Sequence, residues 1–333
     1  MQSKWNKNKV WFCILILGML TAIALSYYGM VNSGKTRRIH KVSVIVNDSG
    51  SERWIAMRQG IEQAADDCGI DINYATTGNF QSFEEELAVI RREFDNGAEG
   101  VIVQFTAAGA EDDAVRFLAG SPVMLLESDI EPQEVCPLTA PDNYALGCAL
   151  AEAFLAEGEA LGERVGVLYE AAGEEAEQNV PYPAMQDRLA GVRETLGGAG
   201  IETAWELALT PDVPPEEAAA QLAGLPADAV LALGNNAAEA AVDYLQGKDG
   251  EGKWALYGIG CSGKAVYYLD RGEIQSLVVP DEFKMGYQSV ANMARRLQYP
   301  LSEMESSAVD YLVVDRDNLY DADRQKQLFP LVQ

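Results

Sequence analysis

The chain contains a single histidine, His40, and lacks the common zinc-site motifs and the Walker motif. Its five cysteines form no Cys-x-x-Cys pair, and neither a Gly-x-Ser-x-Gly nor a Walker sequence occurs. Histidine triads and most zinc sites need imidazole or paired thiolates. The sequence therefore predicts no catalytic residue, no metal and no cofactor. The cysteines are expected to be buried as small apolar side chains, with a disulfide among them left open.

Basic residues are scarce after the first 41 positions. All 51 Asp and Glu follow that point, whereas seven of the 25 Lys and Arg precede it. An acidic body repels the phosphate backbone, so a nucleic-acid partner is not expected.

Charged residues are absent from Val10 to Gly34. Residues 10–31 are long enough as a helix, at about 1.5 Å per residue, to cross a bilayer core of about 30 Å. We therefore predict a cytoplasmic N-terminus at 1–9, a transmembrane anchor at 10–31 and a linker at 32–40. A cleaved signal peptide is the alternative, because small residues around Ala22 and Ala24 could form a cleavage site.

The remainder alternates short apolar runs with amphipathic segments. KVSVIVN, IDINYAT, VIVQF and PVMLLES predict buried strands, and a second series begins with RVGVLYE. Helices are predicted at about 182–198, 214–223, 236–246 and 263–271. Apolar strands alternating with helices predict an α/β fold of two doubly wound parallel-sheet lobes. In such sheets, ligands bind beyond the carboxyl ends of the strands.

One glycine pattern is also found in a different class of protein, the dinucleotide-binding proteins. Gly258-x-Gly260-x-x-Gly263 lies between a predicted strand and a predicted helix, as a dinucleotide fingerprint does. It falls late in the second series rather than in a first strand–helix unit, so NAD binding is not favoured.

An ordered set of segments resembles the periplasmic sugar-binding proteins of the ribose/galactose type, whose fold also forms the ligand cores of lactose-repressor-like regulators. The segments span most of residues 41–320 and include NGAEGVIVQ, PVMLLESD, APDNYALGCALAEAF, MQDRLAGV, DAVLALGNNAAEAAVDYL and YGIGCSGKAVYYLDRGEI. The resemblance implies the type I periplasmic-binding-protein fold with a multi-strand hinge. The implied N-terminal lobe is 41–141 plus 281–307, and the C-terminal lobe is 142–280 plus 308–333.

The resemblance also implies which side chains face a ligand. They are polar or aromatic residues at strand ends and helix starts, namely Asn47, Asp48, Arg53, Trp54, Glu127, Asp129, Arg188, Asn235, Asn236 and Asp281. Structural roles are the alternative for several of them. Trp54 lies on an apolar helical stripe, Arg188 could be a surface residue, and Asn235 and Asn236 could cap a helix, as Asp142 and Asn143 are expected to do.

The chain departs from the pattern of these proteins at three places. Gly258-Ile259-Gly260 stands where Gly-Phe-Asp is usual, Pro280 stands where Gln is frequent, and Ser51-Glu52-Arg53-Trp54 replaces an Asn-Pro-aromatic-aromatic stretch. These changes leave the fold expectation intact but prevent assignment of a particular sugar.

The resemblance implies a non-enzymatic solute-binding protein of the bacterial cell envelope. It would bind a sugar or similar polyol outside the cytoplasm and deliver it to an ABC importer. Presentation of the ligand-bound form to a membrane histidine kinase is one alternative. An α/β enzyme acting on a carbohydrate is the alternative from another class, although no nucleophile–base pair is evident.

Overall fold

The computed structural model describes residues 7–33, 39–46, 53–75, 82–105, 112–157, 164–171, 181, 183–209, 215–246 and 254–328. The chain divides into two units, Met1–Ile39 and His40–Gln333.

The first unit contains helix α1, Lys7–Ser33, which has 27 residues. Large apolar side chains are exposed along it, including those of Trp11, Leu15 and Leu25. Within the part of the chain that the structure describes, no helix combines the length and the apolarity that a membrane crossing requires. The transmembrane segment predicted at 10–31 is therefore not confirmed.

The second unit contains two six-stranded sheets. The strands of the first sheet are β1 (His40–Ile45), β2 (Ile70–Ala75), β3 (Gly100–Val103), β4 (Val123–Leu126), β5 (Leu138–Pro141) and β11 (Ser307–Val309). Those of the second are β6 (Val165–Glu170), β7 (Thr203–Leu209), β8 (Ala229–Ala232), β9 (Ala255–Ile259), β10 (Ile274–Pro280) and β12 (Tyr311–Asp315).

Strand order gives each sheet a doubly wound topology. The first sheet runs β11-β5-β4-β3-β1-β2, and the second runs β12-β10-β9-β8-β6-β7. Every pairing is parallel except that of β10 with β12. The predicted α/β fold with two predominantly parallel sheets is thus confirmed.

Helices cover both faces of each sheet, as parallel sheets require. Around the first sheet lie α2 (Arg53–Cys68), α3 (Phe83–Asp95), α4 (Asp112–Ala119) and α10 (Glu282–Gln298). Around the second lie α5 (Asn143–Ala156), α6 (Pro183–Gly198), α7 (Pro215–Leu222), α8 (Asn235–Gln246) and α9 (Gly263–Asp270). Helix α11, Ala322–Leu328, follows β12. Four buried apolar clusters result, one on each sheet face.

The chain passes between the two sheets at three places: from β5 to α5, from β10 to α10 and from β11 to β12. Asp142 caps α5 by accepting a hydrogen bond from the Ala145 amide, as expected. Asp281 caps α10 by accepting one from the Lys284 amide. The crossover helices therefore begin at fixed points, because each first turn has a side-chain acceptor.

Each crossover helix packs closely on a neighbouring helix through glycine. A Cβ on Gly147 of α5 would lie 2.0 Å from the Arg188 carbonyl oxygen of α6. A Cβ on Gly60 of α2 would lie 2.0 Å from the Phe283 carbonyl oxygen of α10. Only glycine allows backbones this near, so these positions set the spacing of both helix pairs.

No disulfide joins the four described cysteines, Cys68, Cys136, Cys148 and Cys261, to one another. Cys136 is buried, and the burial raises the pKa of its thiol to about 12, with the charge of Asp129 contributing. Cys136 thus packs as a small apolar residue, as expected, whereas Cys68, Cys148 and Cys261 are only partly buried.

Candidate functional site

Polar side chains gather where strands of both sheets end. Gln104 follows β3 and Glu127 follows β4 in the first sheet, while Asn235 follows β8 and Gly260 follows β9 in the second. The carboxyl ends of parallel strands are where ligands bind in doubly wound sheets. This region is therefore the candidate functional site.

A buried ion pair joins the two halves of this site, where one half comprises the first sheet with its helices and the other comprises the second sheet with its helices. Arg188 of α6 donates from Nη2 to Oε1 of Glu127 over 2.9 Å, and the two side chains are 4% and 3% exposed. Arg188 also donates from Nε to Oδ1 of Asn143 and from Nη1 to the Leu233 carbonyl, both at 2.9 Å. Gln104 donates its amide to the other carboxylate oxygen of Glu127. Sequence reasoning predicted Glu127 and Arg188, but the surface alternative for Arg188 is wrong because it is buried.

Glu127 has a left-handed backbone, with φ of 62°. For a residue other than glycine this conformation costs about 1–2 kcal/mol. Two hydrogen bonds stabilise it: the Glu127 amide donates to the Thr139 carbonyl, and Asn143 donates from Nδ2 to the Glu127 carbonyl. In this backbone conformation the Glu127 carboxylate reaches Arg188. Strained residues of this kind concentrate at functional sites.

A second contact between the halves lies beside the ion pair. The amide of Ala184, in the first turn of α6, donates to Oγ of Ser128 over 3.1 Å. The next residue, Asp129, accepts hydrogen bonds from the amides of Ile130 and Glu134. Asp129, a predicted ligand residue, therefore stabilises its own loop in this structure.

Asn235 and Gly260 share one space in the second half of the site. Gly260 has φ of 115°, and a Cβ there would lie 2.3 Å from Oδ1 of Asn235. The Asn235 side chain thus takes the space that an acidic residue at 260 would need. Its Oδ1 is buried and has no hydrogen-bond partner among the described residues. A buried acceptor of this kind can receive a donor from a ligand.

The start of α8 has a different cap from the one considered in the sequence. Oε1 of Glu170 accepts hydrogen bonds from the amides of Asn236 and Ala237, at 2.9 and 3.2 Å. The interpretation of Asn235 or Asn236 as a side-chain cap is not supported, because Glu170 occupies that role from β6. The Asn236 side chain is exposed.

The remaining predicted residues fall into two groups. Trp54 is 5% exposed and packs in the apolar cluster between the first sheet, α2 and α10. Asp281 caps α10, as described above. Asn47 and Asp48 lie outside the described residues. Arg53 is the first residue of α2, and its side chain lies outside the description.

A cavity of about 640 Å³ lies beside the β5-to-α5 crossover. Its lining includes Asp129, Asp142, Asn143 and Asp187. Partial burial raises the pKa of the Asp187 carboxyl, and the nearby charges of Asp142 and Asp129 raise it further. No group of side chains suited to hold a metal ion occurs among the residues that the structure describes.

Sequence reasoning missed the polar residues that complete the network. Gln104 comes directly after a buried strand, so the rule for strand ends could have identified it. Asn143 was interpreted only as part of a helix cap, and Glu170 was not selected. Their partners lie 16 to 67 positions away in the chain, so local sequence patterns do not show them.

Comparison with known proteins identifies the family. Residues 42–300 match the family model described as a periplasmic binding protein domain. The chain belongs to this family, which confirms the resemblance seen in its sequence. No curated protein matches the chain.

Solved structures share the fold at low sequence identity. One is a carbohydrate transporter solute-binding protein from Agrobacterium radiobacter in complex with D-arabinose. It matches with a TM-score of 0.76 at 16% identity, and the match covers 88% of this chain and 100% of that protein's chain. The Caulobacter myo-inositol binding protein has a TM-score of 0.70 at 20% identity, with coverages of 85% and 96%. The XylFII–LytSN complex has a TM-score of 0.68 at 14% identity, with coverages of 84% and 98%.

Proposed function

We propose that the chain is a solute-binding protein whose two lobes close on a small polar ligand, most simply a sugar or polyol. The observation that carries this proposal is the meeting of Glu127 and Arg188 across the two sheets. Groups on opposite halves can both reach a ligand between them, so a bound ligand holds the halves together.

The chemistry of the site suits hydroxyl groups. A guanidinium offers planar donors, and a carboxylate accepts hydrogen bonds from two hydroxyls. The Oδ1 of Asn235, which has no hydrogen-bond partner among the described residues, can accept a hydrogen bond from another hydroxyl. Relatives of the same fold bind D-arabinose and myo-inositol. A hydroxyl-rich ligand is therefore favoured over an apolar one.

The lobes in this proposal keep the boundaries expected from the sequence. The first comprises 41–141 and 281–307, and the second comprises 142–280 and 308–333, so that the three crossovers form the hinge. Glu127, Arg188 and Asn235 are the proposed principal ligand residues. Asn47, Asp48, Arg53, Trp54, Asp129, Asn236 and Asp281 remain proposed contributors.

A thermal-melting screen of the full chain against sugars and polyols tests the proposal. A ligand at 100 times its dissociation constant should stabilise the protein by about 2.7 kcal/mol. Asn235→Ala should weaken this gain without changing the ligand-free melting temperature, since Oδ1 has no described protein partner. Asn96→Ala, at an exposed position that follows α3 and has no proposed ligand role, is the matched control and should keep the full gain. A panel of pentoses, hexoses and inositols that leaves the melting temperature unchanged would contradict the proposal.

Transformation of the ligand is not part of this function. Recovery of unaltered sugar after prolonged incubation with the protein is the expected result. Detection of a new product would instead support the alternative of a carbohydrate-active enzyme.

We further propose that the binding lobes are extracytoplasmic and that α1 attaches them to the membrane. The proposal rests on the uncharged run from Val10 to Gly34 and on the exposed apolar side chains of α1, which are unfavourable in water. Alkaline extraction of membranes from the producing cells should leave the chain in the pellet with its N-terminal residues present. Release of a shortened chain would support signal-peptide cleavage.

The proposed partner is an ABC permease that accepts the closed form. A membrane sensor kinase is the second candidate, and the solved XylFII–LytSN complex shows that a protein of this fold is found in complex with LytSN. Affinity purification of the full chain with and without its sugar should recover a permease in the first case and a kinase in the second.

A further inference from the structure

The ion pair between Glu127 and Arg188 also has a consequence for the ligand-free protein. Both oxygens of the Glu127 carboxylate and three nitrogens of Arg188 already have protein partners. The groups proposed to bind a sugar therefore bind each other.

The two partners belong to different halves of the molecule. Glu127 follows β4 of the first sheet, while Arg188 lies in α6, which packs on the second sheet. Separating the halves would break the charge-assisted hydrogen bond between Arg188 and Glu127 and would expose both charged side chains to water. The bond between Ala184 and Ser128 would break in the same movement.

We propose that this pair is an interlobe lock that keeps the ligand-free protein closed, so that a ligand must displace the pair in order to enter. This inference rests on the proposed solute-binding function and describes how the same site is regulated. Only the open molecules can bind, so the apparent affinity equals the intrinsic affinity multiplied by the fraction of molecules that are open. Sugar binding then exchanges one closed state for another.

The left-handed backbone of Glu127 supports this role. A relaxed backbone at this position would direct the carboxylate elsewhere, yet hydrogen bonds from the Glu127 amide and from Asn143 hold the strained form. Asn143 contacts both partners, since it accepts from Arg188 and donates to Glu127. The crossover helix α5 thus begins with the residue that aligns the lock.

The test is a distance measurement on the full chain in detergent without ligand. Nitroxide labels on p-acetylphenylalanine at exposed positions Asp112 of α4 and Glu217 of α7 report the separation of the halves. Pulsed electron resonance should give one narrow, short distribution for the otherwise unaltered protein. Glu127→Gln combined with Arg188→Met removes both charges and should shift the distribution to longer distances.

Two further variants make the result decisive. Arg193→Gln removes an ion pair with Glu206, which lies within the second half, and should leave the distribution unchanged. Glu127→Asp keeps the charge but shortens the side chain by one methylene, so it should lengthen the distances even if the double variant fails to fold. Identical distributions for Glu127→Asp and the unaltered protein would overturn the lock.

The failure of the lock and the failure of the proposed function are distinguishable. The distances are measured without ligand, so a shift in the variants supports the lock even if no sugar binds. Conversely, a sugar that stabilises the protein while no variant changes the distances supports the binding function and overturns the lock.

Discussion

Gly147→Ala should destabilise the protein, although alanine is the better helix former. The new Cβ would lie 2.0 Å from the Arg188 carbonyl oxygen, and this neighbour is helix backbone rather than a movable side-chain tip. Gly191 on the facing helix is equally close, with a Cβ position 2.2 Å from the Tyr144 carbonyl oxygen. Neither helix can therefore rotate to make room.

The magnitude follows from this geometry. Real Cβ contacts essentially never fall below 3.0 Å, so α5 and α6 must separate by about 1 Å. Overpacking of this kind costs about 1–3 kcal/mol, against a gain of up to about 1 kcal/mol in helix propensity. At roughly 2–4 °C per kcal/mol for a domain of this size, we expect the melting temperature to fall by several degrees.

Two matched variants accompany the assay, which is thermal unfolding followed by circular dichroism. Gly197→Ala lies in the same helix pair with nothing within 4 Å of the new Cβ, so it should be neutral or stabilising. Gly60→Ala, at the corresponding contact of α2 with α10, should destabilise as Gly147→Ala does. A melting temperature for Gly147→Ala at or above that of Gly197→Ala would refute the reasoning.

Three further substitutions test other parts of the structure. Gly260→Ala should lower the free energy of unfolding, measured by urea titration, more than Gly272→Ala does. Both glycines have positive φ, but only at Gly260 would a new Cβ lie against Asn235. Equal losses of unfolding free energy would show that the Asn235 contact is unimportant. Tyr257→Phe should leave the free energy of unfolding unchanged or raise it, because the buried hydroxyl has no hydrogen-bond partner among the described residues. Burial also raises the pKa of this hydroxyl. A loss of unfolding free energy above about 1 kcal/mol would reveal a hydrogen-bond partner. Asp187→Asn should raise the melting temperature at neutral pH. The raised pKa means that the folded state binds the proton more tightly than the unfolded state, so wild-type stability falls as pH rises through that range, and the gain should vanish well below the ordinary carboxyl pKa.

Local patterns in the sequence predicted most of the fold. The helix expected at about 182–198 is found at Pro183–Gly198, and that expected at 263–271 is found at Gly263–Asp270. Both segments show helical periodicity and clear ends, and the strands between them are apolar runs. Short strands such as Ser307–Val309 were not predicted, because they form only by pairing with Leu138–Pro141, far away in the sequence.

The candidate site was predicted less completely. Strand-end position and the family resemblance both indicated Glu127, and the resemblance alone indicated Arg188; the structure brings the two together. Neither indicated that they would bind each other, because ion pairing over 61 positions depends on how the halves are placed. The packing of Trp54 was one of two open alternatives, since an aromatic residue on a helical stripe suits either a core or a ligand stack.

The three crossovers have a consequence for how the molecule can be assembled. The first sheet needs β11 at its edge, and α2 needs α10 as its neighbour, yet both come after five of the six strands of the second sheet in the chain. A nascent chain that ends near residue 150 therefore exposes a bare strand edge and an uncovered helix face. The half that is synthesised first is therefore completed only after most of the other half has been made, and a fragment cut at any single crossover would not yield two self-sufficient pieces.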